Sequence, residues 1–253
     1  MRYGIIADIH SNLPALKTVL RCLVDDEKVE GIICCGDVVG YAAEPNACVD
    51  IIRTIPVCRT VMGNHDSAAA GMMSMDLFNP MAQEAVTWTA AHLMENNRRW
   101  LRRLGKTLDY KKFAVVHGSP RDPVEGYIFD IDVFGENLPF MKKDIYFAGH
   151  THVAMYFSAP REGAGGKGEE KIESALFEDG QTLVMDGARK YLINCGSVGQ
   201  PRDRDPRASA GIYDDEKNVF RIRRIEYDIA GTQKGIEEAG LPMFLAQRLE
   251  YGQ

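Results

Sequence analysis

The chain has 253 residues, of which 45 % are hydrophobic, and a formal net charge of −6 at pH 7. This length and composition suffice for one large globular domain, so we expect a single domain over residues 1–253. The acidic balance argues against general nucleic-acid binding, and no apolar run is long enough for a membrane span or shaped like a signal peptide, so we expect a cytoplasmic protein without a membrane partner.

The first sixty residues predict strands that alternate with helices. Short apolar runs at 3–7, 31–35 and 57–61 are typical of buried strands. Between the first two, apolar residues recur at helical spacing after Asn12, a suitable N-cap, and Pro14 in the first turn. Such strand-helix-strand units favour parallel pairing, and open α/β sheets place their sites at the carboxyl ends of the strands.

The middle of the chain predicts a helical excursion over about 66–110, in which Trp88 and Trp100 would pack on the core. Strands are then predicted to return at 113–116, 145–148 and 191–194, followed by an antiparallel hairpin over 210–214 and 219–227.

Two later segments have less regular patterns. Residues 159–180 are rich in Gly, Glu and Lys, which predicts a surface loop or hairpin tip. Residues of about 235–250 predict a terminal helix with an apolar face of Phe244, Leu245 and Leu249. We expect this helix to dock on the body of the protein, and contact with a second copy in a homo-oligomer is the alternative.

Five of the six histidines lie close to Asp, Asn or Gly, in four of five short blocks that each follow a strand-like run. The blocks are Asp8-Ile9-His10, Gly36-Asp37, Gly63-Asn64-His65-Asp66, His117-Gly118 and Gly149-His150-Thr151-His152. The glycines allow sharp turns that keep the side chains close together. Imidazole and carboxylate together suit divalent transition metals, whereas all-oxygen sites suit magnesium or calcium. The blocks therefore predict a transition-metal site.

In this order, the blocks resemble the calcineurin-like metallophosphoesterase superfamily, whose pattern is D-x-H, GD, GNH[DE], H and GHxH. The matching blocks span residues 8–152. The resemblance implies an α/β fold, a four-layer α/β/β/α sandwich in which two packed mixed β-sheets are flanked by helices. It also places the metal site at the strand ends.

The resemblance further implies two divalent transition-metal ions and an enzyme that hydrolyses phosphoesters. One ion would be held by Asp8, His10 and His152, the other by Asn64, His117 and His150, with Asp37 as the bridge. A water between the ions would become acidic, and the hydroxide left by loss of its proton would attack phosphorus in line with the leaving oxygen. His65 would donate to the phosphate or protonate the leaving alkoxide. Such ligands accept Mn²⁺, our first expectation, and also Fe, Ni²⁺, Co²⁺ or Zn²⁺.

The second block separates branches of the superfamily. Protein phosphatases continue it as GDxxDRG, which supplies an Asp partner for the acid histidine and a phosphate-binding Arg, but Gly40 and Tyr41 stand there in this chain. The stretch 194–202, NCGSVGQPR, resembles instead the N-x-G-S-V-G-Q-P-R of compact bacterial and archaeal phosphodiesterases, with Cys195 at a position that is often Pro. We therefore expect a phosphodiesterase or phosphatase that acts on a small, nucleotide-derived phosphoester.

Several assignments stay open at this point. Arg202 and Arg121 are candidates for phosphate contact or are surface arginines, and Tyr41 would stack on a base or aryl group or simply pack. Asp66 would orient His65 or cap the following turn. The competing functions are a protein phosphatase and a non-catalytic scaffold on the same fold, as in the retromer subunit that resembles this family. Retention of His65 and of every ligand argues against the scaffold.

Overall fold

The computed structural model describes residues 1–161 and 171–253. The strands of this part of the chain are β1 (Arg2–Ile6), β2 (Gly31–Cys34), β3 (Cys58–Thr60), β4 (Thr107–Asp109), β5 (Phe113–Val116), β6 (Ile145–Ala148), β7 (Ala154–Pro160), β8 (Glu173–Leu176), β9 (Thr182–Val184), β10 (Arg189–Cys195), β11 (Ala208–Asp214) and β12 (Val219–Ile225). They form two six-stranded sheets, ordered β3-β2-β1-β11-β12-β9 and β4-β5-β6-β10-β7-β8. Both sheets are mixed, because β1 pairs in parallel with β2 but antiparallel with β11, and β10 pairs likewise with β6 and β7.

The α-helices of the described residues are α1 (Leu13–Arg21), α2 (Pro45–Thr54), α3 (Asn64–Ala69), α4 (Pro80–His92), α5 (Glu95–Leu101), α6 (Ile131–Asn137), α7 (Ile229–Glu238) and α8 (Met243–Gln247). The N-cap predicted for α1 is confirmed, since the Asn12 side chain accepts from the backbone N–H of Ala15 at 3.2 Å. In this part of the chain, no helix combines the length and the apolarity that crossing a bilayer requires.

Alternate residues of the central strands face different cores, as the pleat of a strand demands. Ile5 and Ile33 point into the core between the two sheets, whereas Ile6 packs under the helices that cover the first sheet. On the outer face of the second sheet, Val116 packs with Phe134 of α6. The layers are therefore helix, sheet, sheet and helix, and the predicted four-layer fold is confirmed.

The predicted helical excursion is helical only in part. After α3 the chain is irregular until Asn79 caps α4, and it becomes extended again at Leu93 and Met94 before α5. The last residues of the excursion, near 107–109, are the edge strand β4. Trp88 and Trp100 are partly buried against the core, as predicted.

The prediction of one C-terminal helix over about 235–250 is wrong. Gly240, with φ +68°, ends α7, and Pro242 cannot continue a helix, so the chain turns before α8. Leu245 and Leu249 are buried, but Phe244 is 45 % exposed and does not belong to the docked face. The two short helices pack against Tyr41 and α4, beside the carboxyl ends of the first-sheet strands.

The segment predicted as a loop or hairpin tip is part of a hairpin, because β8 pairs antiparallel with β7 from Met155 opposite Leu176 to Ser158 opposite Glu173. The sequence pattern did not reveal β8. Residues 162–170 of that segment lie outside the described residues.

Candidate metal centre and active-site cleft

The turns that follow the central strands bring seven predicted ligands together, all of them from the five blocks. Five of the seven have a left-handed backbone, namely Asp8 (φ 54°), His10 (φ 49°), Asp37 (φ 53°), His150 (φ 71°) and His152 (φ 60°). Such conformations are costly for non-glycine residues and cluster at functional sites. Backbone hydrogen bonds hold them, including Asp8 N–H to Gly36 O and His10 N–H to Asp37 O, both 3.0 Å. The strand ends are thus shaped to aim these side chains inward.

The first group of ligand atoms comes from Asp8, His10 and His152. The Nε2 atoms of His10 and His152 lie 3.0 Å apart, and His152 Nε2 is 3.6 Å from Asp8 Oδ1. All three side chains are buried.

The second group comes from Asp37, His117 and His150, with Asn64 beside them. His117 Nε2 lies 3.1 Å from Asn64 Oδ1, 3.1 Å from His150 Nδ1 and 3.3 Å from Asp37 Oδ2. The same Asp37 oxygen is 3.6 Å from Nε2 of His10 in the first group. The Asp37 carboxylate therefore stands between the two groups, where a bridging ligand would have to be.

Backbone carbonyls orient three of these imidazoles. The Nδ1 atoms of His10, His117 and His152 lie 3.1, 2.8 and 2.6 Å from the carbonyl oxygens of Val39, Cys35 and Gln200. Because each carbonyl accepts the Nδ1–H, a neutral ring in this orientation has its lone pair on Nε2, which faces the cluster. Metal-binding histidines are held in this way in many proteins.

The charges of the cluster also suit cations. Burial lowers the pKa of His10, His150 and His152 well below its usual value, so these rings are neutral and have lone pairs to offer. Burial opposes protonation of His117, yet the charge and hydrogen bond of Asp37 raise its pKa to about 9. The buried carboxylates thus hold a positive charge among them. In addition, His150 Nε2 is buried without a hydrogen-bond partner among the described residues.

His65 lies beside the cluster in a cage of rings. Its centroid is 4.5 to 4.9 Å from those of Tyr41, His10 and Phe78, and its backbone N–H donates to Asp37 Oδ1 at 2.9 Å. Its Nδ1 is buried and has no hydrogen-bond partner in the described structure. The rings and the backbone, rather than a carboxylate, therefore orient this imidazole. Burial lowers its pKa to about 4, which leaves it neutral at pH 7.

Gly40 explains why no carboxylate partners His65. Its φ is +115°, and a Cβ at this position would lie 2.6 Å from His65 Nδ1 and 3.0 Å from His10 Nδ1. The place that a phosphatase gives to an aspartate is thus filled here by the imidazoles themselves.

Asp66 acts on the backbone. Its Oδ1 accepts from the N–H groups of Val38 and Val39 at 2.9 and 3.1 Å, and its Oδ2 accepts from Gly63 N–H at 3.2 Å. It thereby caps α3 and fixes the loop after Asp37. Of the two roles considered for Asp66, the structure supports the cap.

A cleft of about 270 Å³ opens on the cluster, and its lining includes His65, His150, Tyr41 and Arg202. The Arg202 guanidinium donates to the Tyr41 hydroxyl at 3.3 Å and to Gln200 Oε1 at 2.8 Å. Its carbon lies 5.6 Å from the centroid of the Tyr41 ring, a cation–π distance. The structure thus brings two of the three predicted substrate-contact residues into the cleft.

The third, Arg121, is not among the residues that line the cleft. It is 61 % exposed, its guanidinium lies 3.9 Å from Glu136 Oε2, and it sits over the Phe140 ring. These contacts suit the surface arginine that was the alternative reading.

Sequence reasoning missed Tyr127, whose ring centroid lies 3.7 Å from that of His150 at the mouth of the cleft. A tight loop after β5 places Tyr127 beside the cleft. A Cβ on Gly118 would lie 2.6 Å from Gly126 N, and one on Gly126 would lie 2.2 Å from Ser119 Oγ. These two glycines are the sequence feature that could have indicated a tight loop. The sequence alone does not show that this loop brings Tyr127 to the cleft. Leu77 and Phe78 also line the cleft, and no sequence pattern marked them as cleft residues.

Comparisons with known proteins agree with this geometry. The family model for the calcineurin-like phosphoesterase superfamily domain matches residues 1–218. An uncharacterized protein of Methanocaldococcus jannaschii is 36 % identical over 257 residues, which cover 98 % of this chain and 97 % of that protein. A crystal structure of a metallophosphoesterase from Sphaerobacter thermophilus is similar at a TM-score of 0.86 and 38 % identity, covering 100 % of this chain and 99 % of that one. A hypothetical protein from Pyrococcus horikoshii shares the fold at a TM-score of 0.78 and 18 % identity, covering 100 % and 98 %. The chain belongs to the calcineurin-like phosphoesterase superfamily.

Proposed function

We propose that the protein is a dinuclear metal-dependent hydrolase of small phosphoesters, with nucleotide-derived diesters as its first candidate substrates. The observation that carries this proposal is the position of Asp37 between two groups of buried ligand atoms, next to a cleft that contains His65 and Arg202. Two divalent transition-metal ions, Mn²⁺ first, would supply Lewis acidity and lower the pKa of a water to near neutrality.

The side chains of the cleft have separate tasks in this proposal. Asp8, His10 and His152 would hold one cation, and Asn64, His117 and His150 the other, with Asp37 as the shared ligand. His65, a neutral imidazole, would donate an N–H to a phosphoryl oxygen or to the leaving oxygen. Arg202 would contact the scissile phosphoryl group, since its guanidinium already reaches the cleft beside Tyr41.

Neither competing function gains support. A protein phosphatase would need a carboxylate at the position of Gly40, where a side chain has no room. A scaffold would not need a buried His65 with an unpartnered Nδ1 at the edge of the ligand cluster. The size of the cleft, about 270 Å³, suits a small substrate.

The test is hydrolysis of bis-p-nitrophenyl phosphate and of p-nitrophenyl phosphate by protein that has been stripped of metal and reloaded with Mn²⁺, Ni²⁺ or Zn²⁺. We expect turnover only after reloading, with the diester cleaved faster. A preference for the monoester would shift the assignment to a phosphatase, and absence of turnover with every metal would contradict the proposal.

The His65→Ala variant tests the assigned role. We expect kcat to fall by about 10²- to 10³-fold, the usual cost of removing one positioned hydrogen-bond donor from a developing negative charge. Metal content should stay near that of the wild type, because His65 is not assigned as a ligand. His92→Ala is the matched control, since His92 is exposed and stacks on Trp88 away from the cleft. Loss of metal in His65→Ala would show that the residue is a ligand instead.

A further inference from the structure

The active-site cleft is continued by a second cavity. A groove of about 370 Å³ lies between the start of α4 and the helix α8, and it shares Tyr41 and Asn79 with the lining of the cleft. The other lining residues of the groove are Pro80, Met81, Phe244, Leu245 and Arg248. The cleft and the groove therefore adjoin at Tyr41 and Asn79, and the groove lies on the side of the C-terminal helices.

The groove contains one cationic side chain and no side-chain carboxylate. Among the described residues that line it, Arg248 alone is charged, whereas Arg202 lies in the neighbouring cleft, whose lining also includes Glu125. Within residues 1–161 and 171–253, neither guanidinium forms an ion pair with a side-chain carboxylate. Arg248 donates through Nε to the backbone oxygen of Gln253 and lies over the Phe244 ring at 5.4 Å.

Partial burial makes this arrangement costly. Burial and, to a smaller extent, the positive charge of Arg202 together lower the pKa of the Arg248 guanidinium to about 10. Two like charges that are half-withdrawn from water destabilise each other unless an anion comes between or beside them. Arg202 is assigned to the scissile phosphoryl group. Of the three guanidinium nitrogens of Arg248, only Nε has an acceptor among the described residues, so its two terminal nitrogens remain available to an anion.

The walls of the groove are apolar. Met81 and Phe244 are 42 % and 45 % exposed, although both lie beside a buried cluster that contains Tyr41 and Leu245. Exposed apolar side chains around one cation are typical of a site for a ligand that is flat or apolar and carries one anionic group.

We propose that this groove binds the part of the substrate that is not cleaved, and that Arg248 binds a second phosphate there, with Phe244 and Met81 against the nucleoside-like group that joins the two phosphates. The proposal rests on the proposed function. It predicts a substrate with two separate phosphates, one at the ligand cluster and one across Tyr41.

Two chromogenic esters that differ in a single group test the proposal. These are thymidine 5′-(p-nitrophenyl phosphate) and the same ester with an added 3′-phosphate, both assayed on metal-loaded protein. We expect kcat/KM to be about tenfold higher for the doubly phosphorylated ester, mainly through KM, as for one charged hydrogen-bonded contact. The ratio of the two kcat/KM values should fall to near one in Arg248→Gln and be partly retained in Arg248→Lys.

Arg103→Gln is the matched control, because Arg103 is exposed and lines neither cavity. It should keep the wild-type ratio. If Arg248→Gln does not fold, inhibition of the wild-type protein by two thymidine phosphates tests the proposal instead. Thymidine 3′,5′-bisphosphate should then inhibit hydrolysis of bis-p-nitrophenyl phosphate about tenfold more strongly than thymidine 5′-monophosphate.

Each remaining outcome separates the two proposals. A wild-type ratio near one, or a ratio that Arg248→Gln leaves unchanged, overturns the second phosphate site while the proposed function stands. The same holds if bis-p-nitrophenyl phosphate is hydrolysed but neither thymidine ester is. If none of the esters is hydrolysed, the proposed function is overturned, and the groove loses its role as a substrate site with it.

Discussion

The ligand cluster and the walls of the cleft are built in different ways. The cluster comes from short blocks at strand ends, where left-handed residues and backbone hydrogen bonds between neighbouring strand ends hold each side chain. The walls come from separate loops and helices, such as Tyr127 after β5, Arg202 after β10 and Arg248 after α8. The backbone at the strand ends therefore places the candidate metal ligands, whereas the packing of loops and helices places the groups that would select the substrate. A change in the cluster should abolish the reaction, and a change in a wall should alter only which ester is preferred.

The largest effect should come from the residue between the two groups of ligands. We expect Asp37→Ala to lower kcat by more than about 100-fold, beyond what changes around a ligand shell usually cost. The bound metal should fall from two ions toward one or none, measured by elemental analysis. Asp109→Ala, an exposed carboxylate on β4, serves as the control. Full activity with two ions in Asp37→Ala would contradict the bridging role.

An intermediate effect should follow from crowding His65. In Gly40→Ala the new Cβ would lie 2.6 Å from His65 Nδ1, at a φ of +115°, so the imidazole must shift. We expect kcat to fall about tenfold, as one misplaced proton donor would cause, and the free energy of unfolding to fall by roughly 1–3 kcal/mol.

Gly240→Ala separates displacement of His65 from backbone strain, the two consequences of adding a side chain at Gly40. Gly240 has φ +68° and nothing within 4 Å of a new Cβ, so it should lose stability through backbone strain alone and keep its kcat. Denaturant unfolding and steady-state kinetics on both variants provide the measurement. Equal kcat in the two variants would mean that Gly40 does not position His65.

The smallest effect should come from the cleft wall. Tyr127→Leu removes a ring from the mouth of the cleft while keeping an apolar side chain, so we expect KM for bis-p-nitrophenyl phosphate to rise by about 2- to 10-fold, the range of one aromatic stacking contact. Metal content should not change. Phe129→Leu is the control, because its ring is 6.3 Å from that of Tyr127 but does not line the cleft. The same KM in Tyr127→Leu and wild type would remove Tyr127 from the substrate site.

The difference between the ligand cluster and the cleft walls also explains which features the sequence could predict. Strands such as β5 and β6 were predicted at their observed bounds, because an apolar run that ends in a histidine block reveals both the strand and its end. The seven candidate ligands were predicted in the same way, and the structure places their side chains close together, while their binding of metal stays a prediction.

The sequence-based prediction is wrong or incomplete where tertiary packing determines the position of a segment or side chain. The C-terminal segment has helical periodicity on both sides of Gly240 and Pro242, and the prediction of one helix followed the periodicity across this break. Tyr127 and Arg248 have no pattern of their own, since one is placed by a tight loop and the other by the docking of α8. The single domain over residues 1–253 and the nucleotide-derived substrate stay predictions.

During synthesis on a ribosome, the first ligands emerge long before the residues that hold them in place. Asp8 follows β1, whose neighbour on one side of the sheet is β11, at residues 208–214. The carbonyl oxygen of Asp8 accepts from Gly199 N–H and Ser197 Oγ–H at 2.9 and 2.8 Å. A nascent chain that stops short of these residues has its N-terminal ligands but lacks the partners that fix their backbone. Contacts between such distant parts of a chain form late, so the backbone of the first candidate ligands is fixed only when the chain is nearly finished.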